Sequence, residues 1–129
     1  MALRNILTEE NPALRKVCRP YTAFDERLHQ LLDDMHETLD KAEGVGLAAP
    51  QVGYCRRFFI MHLGDMRIEA INPEIKKVSG KQYVLEGCLS VPNKWGYVTR
   101  PNKCKFLCRN CKGKCVCRQK GRIKLHGYS

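Results

Sequence analysis

Apolar residues in this chain recur at two different spacings. Leu28, Leu31, Leu32, Met35 and Leu39 follow one another at steps of three and four, which places them on one face of a helix. The preceding Thr22-Ala23-Phe24-Asp25-Glu26 offers capping side chains and then acids for a first turn. The pattern therefore predicts a helix running to about residue 42, stopped by Gly44. Beyond it the runs at 57–62 and 67–72 are of β type and are separated by Gly64-Asp65, which predicts a hairpin. Further strands are expected at 78–85 and 96–100, with Gly80-Lys81 and Pro92-Asn93 as breakers. The fold class is α+β, a mainly antiparallel sheet packed on a helix. No internal repeat is present.

Composition narrows this picture. A chain of 129 residues with 43% hydrophobic residues is one small globular domain with a single core. No apolar run is long enough to span a bilayer, and Met1-Ala2-Leu3-Arg4-Asn5 is no secretory signal, so a cytoplasmic location and no membrane partner are expected. The net charge of +10 points to nucleic acid only if it is spread or patterned. It is neither. Residues 1–100 hold 14 Lys and Arg against 13 Asp and Glu, while residues 101–129 hold 9 Lys and Arg and no acid. Five of the eight cysteines, Cys104, Cys108, Cys111, Cys115 and Cys117, also crowd that end, leaving Cys18, Cys55 and Cys88 for the rest. Two compositions meet near Pro101. Without an export signal, the thiols are expected free or metal-bound rather than in disulfides.

Two motifs carry candidate chemistry. In Gly44-Val45-Gly46-Leu47-Ala48-Ala49-Pro50-Gln51 the glycines permit close backbone approach to a ligand, and Gln51 can hydrogen-bond a carbonyl or stabilise an oxyanion. Taken alone, this is also what a glycine-rich turn after a helix looks like. It lacks the register of a phosphate loop. In Glu86-Gly87-Cys88-Leu89-Ser90, a thiolate could bind a soft or borderline metal or act as a nucleophile, although a single cysteine is usually a small buried hydrophobe.

Read as a pair, Gly-apolar-Gly-apolar-Ala-Ala-x-Gln and Glu-Gly-Cys-Leu-Ser resemble the signatures of peptide deformylases without a mismatch. Asn11-Pro12-Ala13-Leu14-Arg15-Lys16-Val17, the helix before Gly44, Ala70-Ile71-Asn72-Pro73 and Arg100-Pro101 fit the same family. The resemblance implies a metal-dependent amide hydrolase that removes the formyl group from the N-terminal formyl-Met of nascent polypeptides near the ribosome. It implies Fe2+, with Zn2+ or Ni2+ as substitutes, held by one Cys and two His, and a glutamate that carries the proton. By motif position Cys88 resembles the metal-binding thiolate. Gln51 and the backbone N–H of Leu89 resemble the oxyanion donors, Val45 and Gly46 the residues along the substrate backbone, and Glu86 a supporting residue.

The family's remaining ligands and its catalytic glutamate lie in His-Glu-x-x-x-His or His-Glu-x-Asp-His on a later helix, where the i, i+4 spacing puts both imidazoles on one face. The histidines here are His29, His36, His62 and His126, and no two are four apart. His36-Glu37-Thr38-Leu39-Asp40 imitates such a helix but reads better as the solvated polar face of the helix before Gly44. The resemblance places the third motif about forty residues after the cysteine, a span of two strands, a turn and a helix start. Only 41 residues follow Cys88. The expected organisation is a deformylase-like domain over 1–103, incomplete at the C-terminus, and a basic Cys-rich tail over 104–129 that is out of frame. Read one base later, every Cys codon becomes a Val or Ala codon, which suits hairpin strands. Leu125-His126-Gly127-Tyr128-Ser129-stop can be encoded so that the next frame spells Phe-Met-Val-Ile-His-Glu. The chain as written is expected to be inactive, with the sheet's apolar face uncovered. Two other functions compete: a zinc module binding nucleic acid through the irregularly spaced tail cysteines, with only Phe106 for stacking, and a catalytically dead formyl-peptide binder. Nucleic acid is the weaker expectation.

Overall fold

The computed structural model describes residues 2–101 and 103–120. The helix α1 spans Glu26–Ala42, capped by Asp25, whose carboxylate accepts from Leu28 N–H at 3.2 Å. Its five apolar positions are all buried, as the spacing predicts. Its end differs from the expectation. Glu43, not Gly44, takes the left-handed conformation (φ 57°), and Gly44 N–H closes on Leu39 O at 3.3 Å. Gly44 is kept small for another reason, described below.

Five strands form an antiparallel sheet in the order β1-β2-β3-β6-β7: β1 Gly46–Ala48, β2 Phe58–Leu63, β3 Met66–Ser79, β6 Lys103–Arg109 and β7 Cys115–Lys120. β4 Gln82–Cys88 and β5 Val91–Arg100 make a separate two-stranded sheet. The hairpin at Gly64-Asp65 forms with Gly64 at φ 61°, the conformation a tight hairpin turn needs at its first position.

Two of the strand boundaries differ from those expected. β3 does not stop near residue 72 but runs to Ser79, and the chain breaks afterwards at Gly80 (φ 69°), so residues 78 and 79 belong to β3 and not to β4. Asn72 (φ 54°) explains the continuation: a register shift between Ile71 and Glu74 carries Asn72 and Pro73 out of the ladder, so the missing proline N–H leaves no gap. Pro92-Asn93 behaves alike. Those residues lie inside β5, where Cys88 pairs with Val91 and Gly87 with Trp95, and Asn93 (φ 62°) takes up the extra length.

Alternation along β2 and β3 sorts the core into two clusters. Phe58, Ile60 and Ile71 face α1 and pack with Leu28, Leu31, Leu32, Met35 and Leu39. Met61, Ile68 and Ala70 face away and pack with Phe106 and Cys108 of β6. Lys103 opens β6, so the composition break near residue 101 falls between strands and the Cys-rich segment continues into the same sheet as β1–β3. Cys104 and Cys108 take the inward positions of β6 on either side of Phe106, where they pack as small apolar residues. Among the described residues no three His, Cys, Asp or Glu side chains gather into a metal-holding group.

Residues 2–20 form a strap over these layers. Ala2 N–H donates to Asp34 Oδ1 (2.8 Å), Arg4 N–H to Thr38 Oγ1 (2.9 Å), Leu7 N–H to Gln51 O (2.7 Å) and Glu9 N–H to Ser90 O (2.8 Å). The Arg4 guanidinium also binds Asp34 Oδ2 at 2.7 Å. Burial alone would raise the Asp34 carboxyl, but the donors from Ala2, Arg4 and Gln30 outweigh it and hold the group below its ordinary range. The strap is thus pinned first to the helix and then to both motif segments.

Candidate active site

The two motifs meet through one side chain. Gln51 lies in a 3-10 turn, Ala49–Val52, that follows edge strand β1, and its Oε1 accepts from Ala48 N–H at 2.9 Å. That bond orients the amide. Its Nε2 then donates to Ser90 Oγ at 3.0 Å and lies 3.7 Å from Cys88 Sγ. Cys88 ends β4 with an exposed thiol, and Leu89-Ser90 make the turn into β5. Ser90 is buried. Neither Ser90 nor its role in fixing Gln51 is evident from spacing alone.

The glycine and leucine of the two motifs also interlock. A Cβ placed on Gly44 would lie 2.8 Å from Leu89 Cδ1 and 2.9 Å from Leu39 Cδ1. Gly44 therefore lets the Leu89 side chain seat against the end of α1, which fixes the turn that carries the Leu89 backbone N–H. Behind the cysteine, Glu86 Oε2 accepts from Arg100 Nε at 2.6 Å, while Glu86 Oε1 is buried with no hydrogen-bond partner. Glu86, whose side chain is 10% exposed, ties β4 to β5 rather than facing Gln51.

Val45 and Gly46 stand at the start of β1. Val45 O accepts from His62 N–H at 2.7 Å, and Gly46 pairs with Met61. β1 ends the sheet order, so its far edge is not paired to another strand of this sheet. Beneath it runs an apolar groove of about 560 Å³ lined by Val45, Gly46, Gln51, Met61, Ile75 and Phe106 among others. This is the sheet face turned away from α1, and Ile75 there is 68% exposed. Gln51, Val45 and Gly46 share the groove, while Cys88 opens into a neighbouring one with Glu86, Trp95 and Arg100. Arg100 borders both.

Around Cys88 the described donor set is a single sulfur beside a neutral amide and a hydroxyl. Such a set does not fit a resident catalytic metal. His29, His36 and His62 lie elsewhere, and His126 falls outside the described residues.

His36 is not on a solvated face, contrary to the expectation. It is buried, with Nδ1 2.7 Å from His62 Nε2 and Nε2 2.8 Å from Glu69 Oε2. His62 Nδ1 in turn lies 3.2 Å from Asp40 Oδ1, and the two rings are within 5° of parallel. The register explains the meeting, because Ile60 pairs with Glu69 and His62 with Arg67 on the face of the hairpin that α1 covers. Two hydrogen bonds and the His62–Asp40 contact thus run through the two rings from one carboxylate to the other. Burial, and then the charge of His36, hold His62 below its ordinary value. The His36 bond holds the Glu69 carboxyl below its ordinary range.

Comparison with known proteins agrees with this architecture. A model of the polypeptide deformylase family matches residues 3–122. The peptide deformylase of Caldicellulosiruptor bescii is 53% identical over 100 residues, covering 78% of this chain and 60% of that protein. Peptide deformylase 1 of Bacillus subtilis is 45% identical over 102 residues, covering 78% of this chain and 64% of its own length. The chain thus spans less than two thirds of these relatives. Among solved structures, the peptide deformylase of Thermotoga maritima superposes with a TM-score of 0.90 at 38% identity, over 92% of this chain and 82% of that one. On a match this long, and on motifs that converge in space, the chain belongs to the polypeptide deformylase family.

Proposed function

We propose that the site joining Gln51, Cys88 and Leu89 is that of a peptide deformylase, built to hold a formylated peptide N-terminus for hydrolysis of its formyl amide. The observation that carries this reading is the Gln51 amide, oriented by Ala48 and Ser90 so that its N–H groups sit beside Cys88. An amide fixed this way can donate to an oxyanion without reorganising, and the Leu89 N–H is the matching backbone donor. The open edge at Val45 and Gly46 suits an extended peptide added as a further strand, with its first side chain directed into the apolar groove. A formyl-Met side chain is flexible, unbranched and apolar, and matches that groove in character.

The family is metal-dependent, and Cys88 is the residue here that corresponds to a thiolate ligand. Fe2+, with Zn2+ or Ni2+ as substitutes, is the metal proposed, and it would supply a water of lowered pKa. One thiolate does not retain such a metal, and the 129 residues contain no His-Glu-x-x-x-His. We therefore propose that these 129 residues by themselves bind formyl-Met peptides weakly and do not turn them over. Nascent polypeptides at the ribosome, in the cytoplasm, are the proposed substrates of the complete site. Of the two competing readings, this is the formyl-peptide binder without turnover, and the packing of Cys104 and Cys108 beside Phe106 in the sheet favours it over a nucleic-acid module.

The same proposal covers the organisation of the sequence: a deformylase-like domain over 1–103 and a segment over 104–129 read out of frame. It rests on the abrupt change in charge and cysteine content. Coding DNA whose next frame fails to give His-Glu-x-x-x-His would remove it.

The functional reading is tested with Ni2+-supplemented recombinant chain and a formyl-Met tripeptide. Formate release should be at background, and titration by NMR should shift the signals of Gln51 and Val45. Turnover at a rate proportional to protein refutes the inactivity. Absence of shifts at millimolar peptide refutes the site.

A further inference from the structure

Cys18 and Cys55 belong to neither motif and lie 37 positions apart in sequence. The fold sets them side by side. One parallel β-bridge pairs Arg19 with Arg56, made by Arg19 N–H donating to Cys55 O (3.4 Å) and Arg57 N–H donating to Arg19 O (2.8 Å). Stepping back one residue on each segment of this parallel pair brings Cys18 opposite Cys55. Neighbouring strands run about 4.7–4.9 Å apart, within the Cα separation of about 4.4–6.8 Å that a disulfide spans. The side chains agree with this placement: Cys55 S–H donates to the backbone carbonyl of Val17, the residue next to Cys18, at 3.6 Å. Both are free and half-buried, so a small reagent can reach them.

We infer that Cys18 and Cys55 form a redox-closable staple, oxidised by a low-molecular-weight disulfide to an intramolecular cystine. In the first step the Cys55 thiolate attacks one sulfur of the reagent; the reagent's S–S bond breaks and one thiolate leaves. In the second, Cys18 gives its proton to solvent and attacks the Cys55 sulfur of the mixed disulfide, expelling the second thiolate. Two protein thiols are oxidised and one small disulfide is reduced to two thiols. Burial and the neighbouring Cys55 push the Cys18 thiol up, so closure quickens as pH rises.

The placement gives the bond a consequence. The ring it closes contains α1, β1 and the Gln51 turn, and one end lies on the strap that binds Gln51 and Ser90 through Leu7 and Glu9. Oxidation would tie that strap covalently to the segment leaving the active-site turn. Constraining the unfolded chain in this way raises the unfolding temperature.

The test uses the full chain with oxidised glutathione at pH 8, followed by tryptic digestion without reductant. Cleavage gives peptides 17–27 and 42–56, each with one cysteine. The expected product is these two peptides linked, about 2 Da lighter than their sum, as loss of two hydrogens requires. It should form ahead of any other pairing among the eight cysteines, and the unfolding midpoint should rise. In 8 M urea the preference should vanish. Cys18→Ser should leave Cys55 as a stable glutathione adduct, read on the same digest. Recovery of both peptides unlinked from folded protein, pairing of Cys55 with a different cysteine, or an equal preference in urea would each overturn the inference. None of these outcomes depends on deformylase activity.

Discussion

Replacing Gly44 by Ala tests whether the two motifs are coupled through packing. Gly44 does not have a positive φ, so alanine suits its backbone, and the lost freedom of the unfolded chain would by itself stabilise the protein by about 0.4–1 kcal/mol. Against this, the new methyl group would sit 2.8 Å from Leu89 Cδ1 and 2.9 Å from Leu39 Cδ1, both well inside contact distance. Overpacking of this kind costs about 1–3 kcal/mol. Leu39 is fully buried against the sheet and cannot withdraw, whereas Leu89 is only partly buried and lies in a turn, so Leu89 is the side that gives. The net expectation is a destabilisation of about 1–2 kcal/mol, read as a lower urea midpoint at unchanged slope. In a Leu89→Ala background one of the two contacts is gone, and the cost of Gly44→Ala should fall by about half. The same cost in both backgrounds, or none in the wild type, would refute the coupling.

Two further perturbations follow from buried polar groups. Asn72→Ala removes the bonds from Tyr21 N–H to Asn72 Oδ1 (2.7 Å) and from Asn72 Nδ2 to Tyr21 O (2.8 Å) and leaves alanine at φ 54°. Together these should cost about 2–4 kcal/mol by thermal or urea unfolding; Asn72→Gly should recover the backbone part only, and if it matched wild type the hydrogen bonds would be irrelevant. Stability should also fall on acidification in two stages. His62 is held below its ordinary value of 6.5, so the unfolded chain takes up a proton first and stability declines as pH drops from about 6.5. Glu69 and Asp34 are carboxylates held below their ordinary range, so their contribution is present above about 4.5 and is lost as pH falls further. Urea midpoints at pH 8 and pH 5.5 check the first stage, and equal midpoints would contradict the lowered value of the half-buried His62.

How much of this was legible depended on whether a residue acts through its neighbours in sequence. The helix was, because five apolar residues at steps of three and four leave one stable arrangement, and Asp25 caps it locally. The Gly64-Asp65 hairpin was legible for the same reason. The strand end expected at residue 72 and the break expected at Pro92-Asn93 were misjudged, because at each an asparagine at positive φ next to a proline makes a bulge within a continuing strand. Cys104 and Cys108 stand out by composition, yet their burial follows from their alternation about Phe106, a pattern with period two that cysteine content hides.

The site divides along the same line. Gln51, Cys88 and Leu89 are singled out by sequence because they lie within short motifs, and the fold brings the motifs together. What spacing could not show is the set of contacts that makes the meeting rigid: Ser90 under Gln51, Leu89 against Gly44, and the strap bonded to both. The histidine pair is the clearest case. His36 and His62 lie on different elements 26 residues apart, and nothing in either local sequence requires burial. Only the hairpin register, which sets His62 and Glu69 on the face that α1 covers, brings His36, His62 and Glu69 into one hydrogen-bonded chain. That chain fixes α1 against β2 and β3 on the side opposite the apolar groove. The helix is therefore anchored to the sheet independently of whatever occupies the groove, and the Gln51–Cys88 geometry does not need a bound peptide to exist.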